Sequence, residues 1–288
     1  MLTASMLIFG TIGIFRRLIP IPSATLACFR GVIGALFMIL LAKIQGKKIK
    51  NRIGTKNVLL LVITGAVIGL NWIFLFEAYN YTSVATATLC YYMAPIFVIV
   101  LSAVLLKERI TLKKGICAVA AVLGMVFVSG VAENGIPAAG EMKGVLYGLC
   151  AALLYSFVMI LNKKFAGIDD YEKTIIQLGA AAAVILPYVL LSGQGLDVDF
   201  SPRTVILLLI VGILHTGVAY ALYFGSFRGL SAQTVAVFSY LDPVTALILS
   251  AAVLKEPMTV YGIIGAVLII GAALVSETGF LSGKHSEG

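Results

Sequence analysis

The chain is short of charge. Asp, Glu, Lys and Arg make up 12% of its 288 residues, where a water-soluble domain carries about 25%. So few charges cannot coat a globule in water, which excludes an ordinary soluble enzyme or binding module. Histidine is scarcer still: His215 and His285 are the only two, too few for a multi-histidine metal centre. Neither HExxH nor GxSxG occurs, so the metal and nucleophile sets of an intramembrane enzyme are missing. Cys28, Cys90, Cys117 and Cys150 each fall within an apolar run and show no CxxC spacing. They are expected to be buried, reduced thiols rather than a disulfide or metal framework. No ring of like charges and no repeated carbonyl-filter motif speaks for a channel. The opening MLTASMLIFGTIGIF has no basic n-region and no clear cleavage site, so it reads as a first spanning helix rather than a signal peptide. It offers about 15 apolar residues before Arg16, fewer than the roughly 20 that a crossing usually takes. No catalytic residue, metal or cofactor is expected.

Apolar residues fill the space that charge leaves. They are 60% of the chain, and the mean hydropathy is +1.06. Reading runs of about 17–25 residues gives ten segments: 1–18, 22–42, 57–79, 82–106, 113–131, 143–163, 172–192, 203–227, 230–254 and 259–278. The reading is an all-α integral membrane protein in which nothing between the runs could fold as a separate soluble domain.

The excess positive charge fixes an orientation. Lys43, Lys47, Lys48, Lys50, Arg52 and Lys56 crowd one connection between apolar runs, which reads as a cytoplasmic loop and not as a nucleic-acid surface. With the N-terminus inside, fifteen Lys and Arg residues fall on the cytoplasmic side and five outside; Arg30, within a span, completes the 21. An even number of crossings then places both termini in the cytoplasm. Arg16 and Arg17 lie on the wrong side of this bias.

The chain also repeats itself. Pro95 and Glu108 stand thirteen positions apart in PIFVIVLSAVLLKE, as do Pro243 and Glu256 in PVTALILSAAVLKE. After a one-residue gap, Gly115 and Gly124 fall on Gly262 and Gly271. Five spans per half is an odd number, so the second half must enter the membrane upside down. Matching loops agree: KERITLKK carries four basic residues and KEPMTVYG one, as an inverted repeat requires. The halves are residues 1–131 and 143–278, two inverted five-helix repeats making ten transmembrane helices.

These duplicated segments, NYTSVATATLCYYMAPIFVIVLSAVLLKERI with GICAVAAVLG and GLSAQTVAVFSYLDPVTALILSAAVLKEP with GIIGAVLIIG, resemble the EamA-type branch of the drug/metabolite transporter superfamily. The resemblance spans nearly the whole chain. It implies a carrier of small organic metabolites in a prokaryotic inner membrane, often an exporter, working by alternating access. Its partners would be a small-molecule substrate and the lipid bilayer, with protons as a coupling ion; no nucleic acid is expected, and the protein would be a monomer or homodimer.

Polar groups inside the spans are the candidates for chemistry. Pro95 and Pro243 interrupt helices at matched positions, freeing carbonyls that must face protein or a wet cavity; they are read as helix breaks framing the substrate site. Arg30 lies about 12 Å into the second span, where an unpaired charge costs several kcal/mol. Glu77 is its expected partner by depth, either as a structural ion pair or as part of a substrate site. Asp242, beside Pro243, has only Ala94 as its counterpart in the first half; it is a candidate proton carrier or amine contact, or a helix cap. Glu77 and His215 are further proton candidates, though a hydrogen-bonded core histidine is the simpler reading of His215. Trp72, Tyr91, Tyr92 and Tyr240 are expected to line the cavity, with ordinary packing as the plain alternative; Tyr92 and Tyr240 stand three residues before each proline. Gly65 with Gly69 and Gly144 with Gly148 match GxxxG, a signal of close helix packing. Glu108 and Glu256 read as anchors or gate contacts at helix ends.

An arginine beside acids and aromatics fits an amino acid or similar zwitterion. An organic cation held by Glu77 or Asp242 and a tyrosine cage is the second substrate class.

Overall fold

The computed structural model describes residues 1–46, 53–105, 112–128, 132, 138–162, 165, 168–191, 200–226 and 241–278. Every regular element among them is helical: α1 Leu2–Gly10, α2 Ile12–Leu18, α3 Ser23–Ile44, α4 Thr55–Tyr81, α5 Val84–Tyr91, α6 Ala94–Leu105, α7 Leu112–Val128, α8 Ala139–Asn162, α9 Asp170–Leu191, α10 Pro202–Leu209, a π-helical segment Ile210–Val218, α11 Ala219–Ser226, α12 Leu241–Val253 and α13 Val260–Thr278. Six stretches among the described residues are long and apolar enough to cross a membrane, and 115–128, 241–253 and 260–272 are shorter apolar helices. At 27 residues, α4 is about 40 Å long, more than a hydrocarbon core of about 30 Å, so it spans with a tilt. Large apolar side chains such as Leu36, Leu40, Leu59, Ile63 and Val267 point outward, which water would penalise and lipid tails accept.

Small residues set how closely these helices approach. A Cβ added at Gly65 would lie 2.7 Å from the Ala180 Cβ, and one at Gly69 3.0 Å from the Ala181 carbonyl, so the first GxxxG pair seats α4 against α9. At Gly144 it would meet the Thr82 Cβ, and at Gly148 the Cys90 Cβ, each at 2.8 Å; the second pair seats α8 on the α4–α5 turn and on α5. Gly124 and Gly265 face one another where α7 crosses α13. With no difference in apolarity between lipid tails and leucines, such close backbone contact is the main source of helix association. Elements from the first half of the chain therefore pack chiefly against elements from the second: α4 against α8 and α9, α3 against α9, and α7 against α13.

Three spans depart from regular helix. The span read as continuous over 82–106 is two helices: α5 ends at Tyr91, Tyr92 and Met93 turn, and α6 begins at Ala94. Pro95 thus occupies the first turn of a new helix, where a missing N–H and a fixed φ cost nothing, instead of bending one continuous helix. Pro243 likewise sits in the first turn of α12. The first span breaks at Thr11, between α1 and α2. The eighth widens into its π-helical segment with no proline to cause it.

Among the described residues the four cysteines are free. Cys28, Cys90 and Cys117 are buried as expected, whereas Cys150 is exposed on α8, where an apolar thiol meets lipid without penalty. Glu108 and Tyr240 lie outside the described residues.

Candidate functional site

Arg30, on α3, is 5% exposed. Its guanidinium carbon stands 4.3 Å from the centroid of the Trp72 ring and 5.7 Å from that of Phe76. Trp72 and Phe76 are four residues apart on α4 and so share a face. Its Nε donates to Thr216 Oγ1 at 2.8 Å. Aromatic faces and one hydroxyl offset part of the cost of burying a cation, but no carboxylate among the described residues lies within ion-pair distance of Arg30.

Glu77 is not its partner. The α4 helix turns about 100° per residue, so Glu77 lies roughly 140° around the axis from Trp72, away from the face that Arg30 covers. Glu77 instead accepts from Asn80 Nδ2 at 3.3 Å and lies within the electrostatic reach of Arg16. Arg16 itself is buried, donating to the Ile19 carbonyl, Ser23 Oγ and Asn80 Oδ1. Those contacts account for a cation that the charge bias could not place.

Around the Arg30–Trp72 stack, tyrosines from four elements converge. Tyr220 lies beside Trp72 and Tyr91 beside Asn71, whose Nδ2 donates to the Ala151 carbonyl at 2.6 Å. The Tyr91 ring lies 5.4 Å from Tyr155 and 5.9 Å from Tyr92. Tyr92 lies beside Asp242. Asp242 stands in the first turn of α12, where the helix dipole favours a carboxylate. Tyr79 and Tyr91 lie within the electrostatic reach of both Arg30 and Asp242. Asp242, Tyr91, Tyr92, Tyr155, Tyr220 and Tyr223 are each half-buried. The cluster holds one cation, Arg30, and one acid, Asp242.

The sequence picked out Arg30, Trp72, Tyr91, Tyr92 and Asp242, and the structure brings them together. Asn71, Tyr155 and Thr216 were missed. An asparagine in the middle of an apolar run was a usable signal for Asn71; nothing local distinguished Tyr155 or Thr216 from packing residues. His215 is fully buried, with Nε2 2.7 Å from Thr11 Oγ1 and its ring edge-on to Phe15. The Thr11 hydroxyl also lies 2.7 Å from the Ile8 carbonyl, to which it donates. His215 Nδ1 is buried with no hydrogen-bond partner among the described residues.

At the end of the bundle holding the α4–α5 turn, a separate cleft of about 470 Å³ is lined by Arg17, Asn80, Thr82, Thr86, Glu141 and Glu256 among others. Glu256 accepts from the Val84 N–H, from Ser250 Oγ and, at 3.4 Å, from Arg17.

The EamA-like transporter family model matches residues 1–130 and again 142–278. The chain belongs to the EamA-like transporter family. It is a multi-pass membrane protein of the drug/metabolite transporter superfamily. Among relatives of this EamA-like chain, an uncharacterized transporter of Bacillus subtilis, YxxF, is 29% identical over 94% of this chain and 86% of its own length. Protein PecM of Dickeya dadantii is 28% identical over 75% of this chain and 73% of its own. A solved crystal structure superposes with a TM-score of 0.68 over 94% of both chains at 19% identity, a likeness of fold.

Proposed function

We propose that this EamA-like protein is a secondary transporter that carries small zwitterionic metabolites such as amino acids by alternating access. Ten crossings form two inverted five-helix repeats, with both termini in the cytoplasm of a prokaryotic cell and the substrate held centrally between the halves. Export is the direction that the family resemblance implies. The observation that carries this reading is the buried Arg30, which has no carboxylate within ion-pair distance among the described residues and neighbours tyrosines, Tyr79 and Tyr91, that also neighbour Asp242. A carboxylate on Arg30 and an ammonium at Asp242 would satisfy both ends of one small molecule. The aromatic walls would hold its apolar part.

Alternating access asks that the cavity open to each side in turn. The broken α5–α6 helix and the π-helical segment are local irregularities at the site itself, where a change of backbone geometry costs least. Asp242 is the proposed proton carrier, since a proton and a substrate ammonium would compete for the same oxygens.

Purified protein in proteoliposomes, offered labelled amino acids with and without a pH gradient, tests the reading. Saturable uptake that accelerates when unlabelled substrate is present on the far side is expected of a carrier. Uptake of organic cations without amino acids would favour the second substrate class, which the pairing of Asp242 with Tyr92 beside Tyr91 and Tyr155 supports. Non-saturating flux would defeat the carrier reading altogether.

A further inference from the structure

A guanidinium can meet a carboxylate in two ways, side-on through Nε and one terminal nitrogen, or end-on through both terminal nitrogens. Here the choice is made by Arg30's neighbours. The Trp72 ring centroid lies 4.3 Å from the guanidinium carbon, with Tyr220 beside the indole. Contact with a ring face limits how the guanidinium tilts but leaves it free to turn about its own carbon. Thr216 removes this freedom. Its hydroxyl donates to the Val211 carbonyl five residues back, at 3.1 Å, and accepts from Arg30 Nε at 2.8 Å. A hydroxyl has a single proton, so with that proton committed to Val211 its oxygen can only accept, and Nε is the group it takes.

The π-helical segment supplies the threonine at this place. A helix with five-residue closure brings the side chain of residue 216 over the carbonyl of residue 211. The absence of a side chain at Gly34 lets Thr216 come close to α3: an added Cβ there would lie 2.5 Å from Thr216 Cγ2. Arg30 makes no other hydrogen bond among the described residues. The sealed polar side-chain atoms without a partner there are Arg16 Nε and His215 Nδ1, so the terminal nitrogens of Arg30 still touch accessible space despite the residue's 5% exposure.

We propose that Thr216 is a positioning residue: by occupying Nε above the Trp72 plane, it turns the Arg30 guanidinium end-on to the cavity and so makes the site selective for a planar carboxylate over an uncharged carboxamide. The inference rests on the reading of Arg30 as the carboxylate receiver. It assigns to the π-helical segment the task of orienting the cation rather than touching the substrate.

Trp72 is the chain's only tryptophan and stacks on the group in question, so its emission reports on the site without a label. The probes are the standard L-amino acids and the corresponding carboxamides, titrated into purified protein in detergent. In the wild type, at least one amino acid should shift Trp72 emission, and its amide should bind about tenfold more weakly or worse, since a charged hydrogen-bonded pair is lost. Thr216→Val should erase most of this acid-over-amide preference while leaving amide binding within about twofold. Thr216→Ser should retain it. If Thr216→Val does not fold, Thr216→Cys keeps the shape with a poorer acceptor and should show the same loss. An unchanged preference in a folded Thr216→Val or Thr216→Cys protein overturns the assignment to Thr216 and leaves the Arg30 site standing. An unchanged preference in Arg30→Gln, or no emission response to any amino acid in the wild type, removes the carboxylate site itself and the positioning role with it.

Discussion

The carboxylate of Glu256 accepts the backbone N–H of Val84 at 3.0 Å, so a side chain from the second half of the chain caps a helix in the first. Its position is fixed by the end of α12. Lys255 takes a left-handed φ of 57°, and the Glu256 N–H closes back on the Ser250 carbonyl, six residues earlier, at 3.2 Å. A non-glycine residue held in that conformation costs about 1–2 kcal/mol, and here it aims the following side chain at α5.

Glu256→Ala should lower stability by about 1–2 kcal/mol, because the Val84 N–H loses a charged acceptor. Arg17→Ala should cost less than about 1 kcal/mol, since the Arg17 side chain is 38% exposed and its ion pair is screened. Thermal unfolding of both variants in the same detergent checks this. Equal losses would mean that the ion pair, and not the cap, holds this end of the bundle.

Lysine cannot replace Arg30. An ammonium that reached Thr216 would have no planar fork left for a carboxylate. Arg30→Lys should therefore weaken carboxylate-dependent binding about tenfold or more, close to the effect of Arg30→Gln, although it keeps the charge. Titration followed by Trp72 emission measures it; near-wild-type binding by the lysine variant would mean that charge alone suffices.

Gly65 and Gly179 should respond in opposite senses to alanine. A Cβ at Gly65 would press on Ala180 and Gln177 of α9, whereas one at Gly179 meets nothing within 4 Å. Gly65→Ala should cost about 2 kcal/mol or more through forced separation of α4 and α9. Gly179→Ala should gain about 0.5–1 kcal/mol from reduced chain entropy. Comparative unfolding temperatures decide it, and a tolerated Gly65→Ala would contradict the close approach of these helices.

Asp242→Asn should abolish stimulation of proteoliposome uptake by a pH gradient, because the amide takes up no proton. Counterflow without a gradient should persist at reduced affinity, since an amide oxygen beside Tyr92 can still accept a hydrogen bond. Retained gradient stimulation would move the proton to another residue.

Much of this was legible in the residues alone. The apolar runs, the two halves and the GxxxG contacts follow from composition and period, because a bilayer penalises charge and open backbone wherever they occur. Arg30, Trp72, Tyr91, Tyr92 and Asp242 drew notice as candidates because polar and aromatic groups stand out against such a background. The errors came from ranking by depth alone. Depth placed Glu77 level with Arg30, but rotation about α4 turned it toward Asn80 and Arg16. Pro95 marked the broken span correctly, yet only the fold showed that α5 stops before it and α6 starts at Ala94.

What the sequence decided by itself is therefore an amount and a pattern: too little charge for water, enough apolar length to span, and a duplication that pairs the two halves. Which side chains meet was decided only by tertiary packing. Thr11 and Thr216 carry no local mark, and they gain their partners because a widened helix sets His215 against Thr11 and Thr216 against Arg30. The physical reason is that hydrophobicity is read residue by residue, whereas a hydrogen bond needs both partners at one distance and one angle, which residues 186 positions apart, as Arg30 and Thr216 are, cannot specify locally.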